Sequence, residues 1–234
     1  AVELQPEDWR AALELARFHI SSGEPDKALF LEKYLADNPE QPAIGVTWAN
    51  ILLLTEKYND CITFLKGYNV LPYEGATAAR DIYHAAAIME AIRLTRLGRL
   101  ARAGKVATMA ADWPRNLGSG RPYEVDERDI TFLEALIAEK NNQQSVASGR
   151  YNKVAAYTPE SQISPYTLLK ILALESSGQT DEAGELLNKI ENQKSKDPMA
   201  AWLVLMYKGD RAQAAGMEAI IEREQSLNGR IKAG

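Results

Sequence analysis

The sequence predicts an all-α fold, an α-solenoid of about six antiparallel helix hairpins. Three observations carry the prediction. A turn residue recurs with a small residue five positions on: Gly23 with Ala28, Glu56 with Cys61, Gly98 with Ala103, Gly178 with Ala183 and Gly209 with Ala214. Eleven residues past the small position stands a proline, so that Ala28 leads to Pro39, Cys61 to Pro72, Ala103 to Pro114 and Ser148 to Pro159. No stretch of four or more residues shows the β-branched alternation of a half-buried strand. A small residue lets the second helix of a hairpin approach the first closely. A proline cannot continue a helix, so it ends one unit and opens the next.

The elements follow in order. Residues 7–22 read as a helix with Trp9, Leu13, Ala16, Phe18 and Ile20 on or near its apolar face, and 25–36 as its partner, with Pro25 in a first-turn position. The second hairpin spans 41–55 and 59–67. Residues 71–75 form a turn. A long helix over 77–97 is partnered by 99–112. Further pairs are expected at 126–141 with 144–157, at 165–176 with 180–192, and at 197–208 with 211–225. The chain thus reads as a single helical-repeat domain over 1–234, with hairpins near 7–38, 41–71, 77–113, 126–158, 164–194 and 197–226 and an inserted loop at 114–125. Such a hairpin cannot bury its apolar face alone and needs its neighbours. Truncating Trp48 or Leu97 to alanine is therefore expected to cost about 2–5 kcal/mol.

Composition narrows the function classes. A net charge of −5 and a pI of about 5.3 remove the basic footprint of a whole-chain nucleic-acid binder. No apolar run reaches the roughly 18–20 residues of a membrane span. The single cysteine, Cys61, excludes an internal disulfide and a cysteine-rich metal site. The first residues carry neither a basic nor an apolar leader region, which leaves the compartment open.

The phased small residues and prolines resemble the tetratricopeptide repeat. Leu15-Ala16 and Trp48-Ala49 fit the small packing residues of its first helix, and the spacing from Pro39 to Pro72 is near the family's repeat of about 34 residues. The resemblance covers nearly the whole chain and implies a right-handed superhelix. A narrower likeness runs from Leu71 to Asn141. Leu71-Pro72-Tyr73-Glu74-Gly75-Ala76, the run Trp113-Pro114 through Asn116-Leu117-Gly118, Gly120 and Pro122-Tyr123, and Asp126-Glu127-Arg128 resemble the helical-repeat region of large bacterial proteins. Those proteins also carry an uncharacterised β-rich domain suspected of handling carbohydrate. The likeness implies a bacterial repeat protein of the cytoplasm, or of the periplasm or cell envelope if a leader was removed. The sugar-related activity of the β-rich part does not carry over.

The loop admits two readings. In one it is a rigid segment folded back over its own hairpin, stiffened by Pro114 and Pro122, with Gly118, Gly120 and Asn116 suited to positive φ. In the other it lines a binding groove with Trp113, Arg115, Asn116, Arg121 and Tyr123, helped by Glu74, Arg80 and His84. Gly118 and Gly120 lack the Gly-Lys-Ser/Thr of a phosphate loop and follow a helix, not a strand. His19 and His84 lack metal-ligand spacing, so no metal and no cofactor is expected. Arg93, Arg96, Arg99 and Arg102 read as a solvated turn region, offset by Glu90, or as a small anion patch. Asn50 alone does not make the carboxylate clamp known from some tetratricopeptide domains. The expected function is a non-enzymatic interaction or scaffold module, with a protein or peptide partner on its concave face. The alternative is a carbohydrate-associated enzyme or accessory domain with a small-ligand pocket near residues 113–123. Convergence of Glu74, Arg80, Asp81 and His84 in a closed cavity would favour the second.

Overall fold

A computed structural model describes residues 8–72, 77–157, 163–218 and 220–221. Among them the chain is all-helical, with no strand. The helices are α1 (Trp9–Ser21), α2 (Leu31–Asp37), α3 (Pro42–Leu54), α4 (Tyr58–Gly67), α5 (Ala78–Arg96), α6 (Leu100–Met109), α7 (Arg128–Lys140), α8 (Gln144–Ala155), α9 (Pro165–Ser176), α10 (Thr180–Glu191) and α11 (Pro198–Tyr207). Residues 211–218 are also helical. Short 3-10 turns occupy Pro25–Ala28 and Arg115–Leu117.

The chain divides into two compact units, Ala1–Val125 and Asp126–Gly234, and the division falls at the end of the inserted loop. In the first unit α3 packs against α1, α2, α4 and α5, and α5 against α6. In the second, α9 packs against α7, α8, α10 and α11.

One turn is repeated throughout. Gly23, Glu56, Gly98, Asn142, Gly178 and Gly209 all have left-handed backbones, with φ between 57° and 83°. At each, the next residue donates its N–H to a carbonyl five residues back: Glu24 to His19, Lys57 to Leu52, Arg99 to Leu94, Gln143 to Ala138, Gln179 to Leu174 and Asp210 to Leu205, all at 2.9 Å. This is the Schellman closure of a helix C-terminus. Glycine suits four of the six because it has no Cβ to clash there; Glu56 and Asn142 hold the same geometry with side chains.

The small residue five positions on is buried every time: Ala28, Cys61, Ala103, Ala147, Ala183 and Ala214 are at most 2% exposed. Between α7 and α8 that residue is Ala147, not the expected Ser148, because the turn is centred on Asn142. Pro159, its expected partner, lies outside the described residues. In four cases the preceding helix supplies a buried small residue twelve positions earlier: Ala16, Ala49, Ala91 and Ala135. The contact is explicit in the second, where the Cys61 thiol donates to the Ala49 carbonyl at 3.3 Å. Burial pushes that thiol up to about 12, which keeps it protonated and unreactive.

Two expectations need correcting. The 25–36 segment is a 3-10 turn followed by α2 rather than one helix. Phe18 and Leu97 are not core residues, being 62% and 56% exposed, whereas Trp48 is buried at 6%. Leu97 is the C-cap residue of α5, just before the left-handed turn at Gly98.

Candidate binding cleft in the first unit

The inserted loop is tied to a helix end about fifty residues earlier. Asn116 Nδ2 donates to the carbonyls of Leu65, at 2.8 Å, and Tyr68, at 2.6 Å. The backbone carbonyl of Asn116 accepts from Val70 N–H at 2.7 Å. Carbonyls at a helix C-terminus lack N–H donors within their own helix, and the Asn116 amide supplies a donor at the end of α4. Gly118 follows with φ of +75°, and a Cβ there would lie 2.9 Å from the Val70 carbonyl oxygen. The Asn-Leu-Gly run is therefore a strap: Asn116 bonds, Gly118 permits the close pass, and Leu117 between them is driven to 0% exposure.

Tyr68 has a second role. Its hydroxyl donates to the Gln41 carbonyl at 2.9 Å, just before α3. Its ring lies where a Cβ on Gly45 would be, 2.1 Å from the nearest ring atom. Tyr68 thus joins the end of α4 to the start of α3, and Gly45 makes room for it.

Beside this strap lies a cleft of about 440 Å³. It is lined by Arg17 of α1, Pro42, Ala43, Val46 and Thr47 of α3, Val70, Ala78 and Ala79 of α5, and Leu117. The wall is mostly apolar, and the volume lies within the range of small-ligand or side-chain pockets. Arg17 is exposed at the cleft, with its guanidinium 2.7 Å from Glu14. Ala78 and Ala79 begin α5, ahead of its first helical hydrogen bond from Asp81 N–H to the Thr77 carbonyl. Thr77 makes no side-chain cap there.

The structure separates the residues expected to form a site. Arg80 is 5% exposed; it donates to the Ala110 carbonyl at 2.8 Å and lies over the Trp113 ring, 4.4 Å from its centroid. His84 Nδ1 stands 3.0 Å from the same carbonyl. Arg80, His84 and Trp113 therefore come together, but around the end of α6. Arg115, Arg121 and Tyr123 are on the exposed part of the loop, Tyr123 completely so. Asp81 is exposed. Glu74 lies outside the described residues. Of the loop, the cleft takes Leu117 alone.

Two signals in the sequence pointed toward the cleft. Pro42–Leu54 is apolar around its whole circumference, as expected of a helix contacted on more than one side. The Asn-Leu-Gly run places one apolar residue between two turn formers. Neither signal identifies Arg17 or Val70, which reach the cleft only through tertiary contact.

The second unit has a comparable arginine that the sequence did not reveal. Arg128, 6% exposed, lies between the rings of Tyr157 and Tyr166, at 4.3 and 4.8 Å from their centroids. Its guanidinium is gripped by both carboxylate oxygens of Asp126, at 2.7 to 3.0 Å. Burial first, and the nearby Asp129 and Asp126 carboxylates next, push the Tyr166 hydroxyl up to about 12.

Among the described residues no group of three or more His, Cys, Asp or Glu side chains could hold a metal ion, and no helix is long and apolar enough to cross a membrane. Arg93 in the basic row is held by Glu90 through two hydrogen bonds, at 2.7 and 2.8 Å. No family model, curated protein or solved structure matches the chain.

Proposed function

We propose that the chain is a non-enzymatic, tetratricopeptide-like interaction module, and that the first helices of its first unit bind a partner segment. Within each unit the hairpins are antiparallel and stack with a right-handed turn. Recurring left-handed turns, small residues buried between paired helices, and the packing of α1 on α3 and α3 on α5 support this arrangement. The observation that carries the functional reading is the cleft. It is open, mostly apolar, walled by three successive first helices and floored by a strapped loop residue. A groove of this kind suits an extended or helical segment that inserts one side chain at a time. Arg80 and His84, the best candidates for acid–base or anion chemistry in this unit, are turned to the Ala110 carbonyl instead.

Thermal-shift measurements on the full chain, with a panel of monosaccharides and with pools of random peptides, test the reading. Stabilisation by peptide pools and none by sugars is the expected result. Strong stabilisation by a monosaccharide would overturn it in favour of a carbohydrate-associated domain.

A further inference from the structure

We infer that the cleft selects a segment carrying an apolar side chain next to an aspartate or glutamate. This rests on the interaction reading above and specifies the partner's chemistry.

The apolar half of the argument is steric. Val46, Val70 and Leu117 offer branched aliphatic surface, while Pro42, Ala43 and Ala79 leave the space between them. About 440 Å³ admits an aliphatic or aromatic side chain and the backbone beside it, but no larger folded element. Burying such a side chain supplies the affinity.

The charged half is electrostatic. The cation lining the cleft is Arg17, whose planar guanidinium can grip a carboxylate in two places. Its present partner, Glu14, sits one helical turn away and is exposed, as Arg17 is. An exposed pair at this spacing is weak, so an incoming carboxylate can replace it. The cleft also holds the beginnings of α3 and α5, at Pro42-Ala43 and Ala78-Ala79. The positive ends of both helix dipoles therefore line the same cleft as Arg17. Glu14 acts as a built-in competitor that sets the threshold for a negatively charged guest.

Selection from a random-peptide display library on the immobilised full chain tests this. Peptides fused at their C-termini present side-chain carboxylates only. Enriched peptides are then measured by fluorescence anisotropy against the wild type, Val46→Trp, Arg17→Glu and Glu14→Gln, with circular dichroism confirming that each variant folds. The expected outcome is enrichment of an apolar residue beside Asp or Glu. Binding should weaken about tenfold or more in Val46→Trp and in Arg17→Glu, and tighten about twofold in Glu14→Gln. Peptides that lose binding in Val46→Trp, but carry no carboxylate and ignore Arg17→Glu, would overturn the inference and leave the interaction reading standing. No enrichment, or enriched peptides that ignore Val46→Trp, would overturn both.

Discussion

Arg80 in the first unit and Arg128 in the second occupy comparable places and serve different ends. Each lies in the first turn of the first helix of a packed pair, is almost fully buried, and stacks on an aromatic ring that follows the second helix: Trp113 after α6, Tyr157 after α8. From there the units diverge. In the first, the chain beyond Trp113 turns back to α4, where Asn116 bonds the Leu65 and Tyr68 carbonyls and places Leu117 against the cleft. In the second, Tyr166 of α9 covers the other face of Arg128, and Asp126 neutralises it. The residues after a closed helix pair can thus seal the closure or return to line a cleft. The first unit does the latter.

Four predictions bear on this contrast. The largest effect is expected at Arg128→Ala, which leaves Asp126 without its cation and two tyrosine faces without their cover; a loss of about 3–5 kcal/mol is expected in urea unfolding. A loss under about 1 kcal/mol would mean that the stack is incidental, and the contrast between the units would disappear. Raising pH should act on the same cluster. Tyr166 keeps its proton to about 12 in the folded chain, whereas an unfolded tyrosine releases it near 10. The folded state is therefore favoured below about 10 and loses that advantage as pH rises toward 12. In Tyr166→Phe that loss is gone, so alkaline unfolding followed by circular dichroism should shift to higher pH once the two chains are compared at equal stability near neutral pH, and the tyrosinate absorbance of the folded chain should lose one late-ionising ring. An unchanged absorbance titration would show that Tyr166 ionises normally.

In the first unit, Asn116→Ala removes two bonds to the end of α4 and should cost about 1–3 kcal/mol. It should also loosen Leu117, so that peptides found by the selection above bind less well. Full binding by a destabilised Asn116→Ala would detach the strap from the cleft. The smallest effects are stabilising and compare one turn from each unit. Glu56→Gly relieves a left-handed residue with a long side chain and should gain up to about 1 kcal/mol. Asn142→Gly should gain less, since asparagine tolerates that conformation better. A larger gain at Asn142 in thermal melts would reverse the expected order.

The sequence and the structure part company at particular residues. The turn at Gly23, Glu56, Gly98, Gly178 and Gly209, with its small residue five positions on, was legible because both features lie within a dozen residues and answer to local sterics. The same local reading misplaced the fourth small residue by one, since Asn142 mimics glycine without announcing it. Leu97 and Phe18 read as core because they are apolar in helical segments, yet both face solvent. Asn116 was legible as a turn former and illegible as a clamp, because its partners Leu65 and Tyr68 lie about fifty positions away.

By itself, then, the sequence determined the helical content, most of the left-handed turns between helices and the buried small residues five positions beyond them. Backbone conformation and close helix approach are governed by neighbours along the chain. Only the tertiary structure decided that Leu117, Val70 and Arg17 share a cleft, that Arg80 and His84 turn to the Ala110 carbonyl, and that Arg128 lies between two tyrosines. Those arrangements depend on which helix faces meet, and no single window of sequence contains both sides of such a meeting.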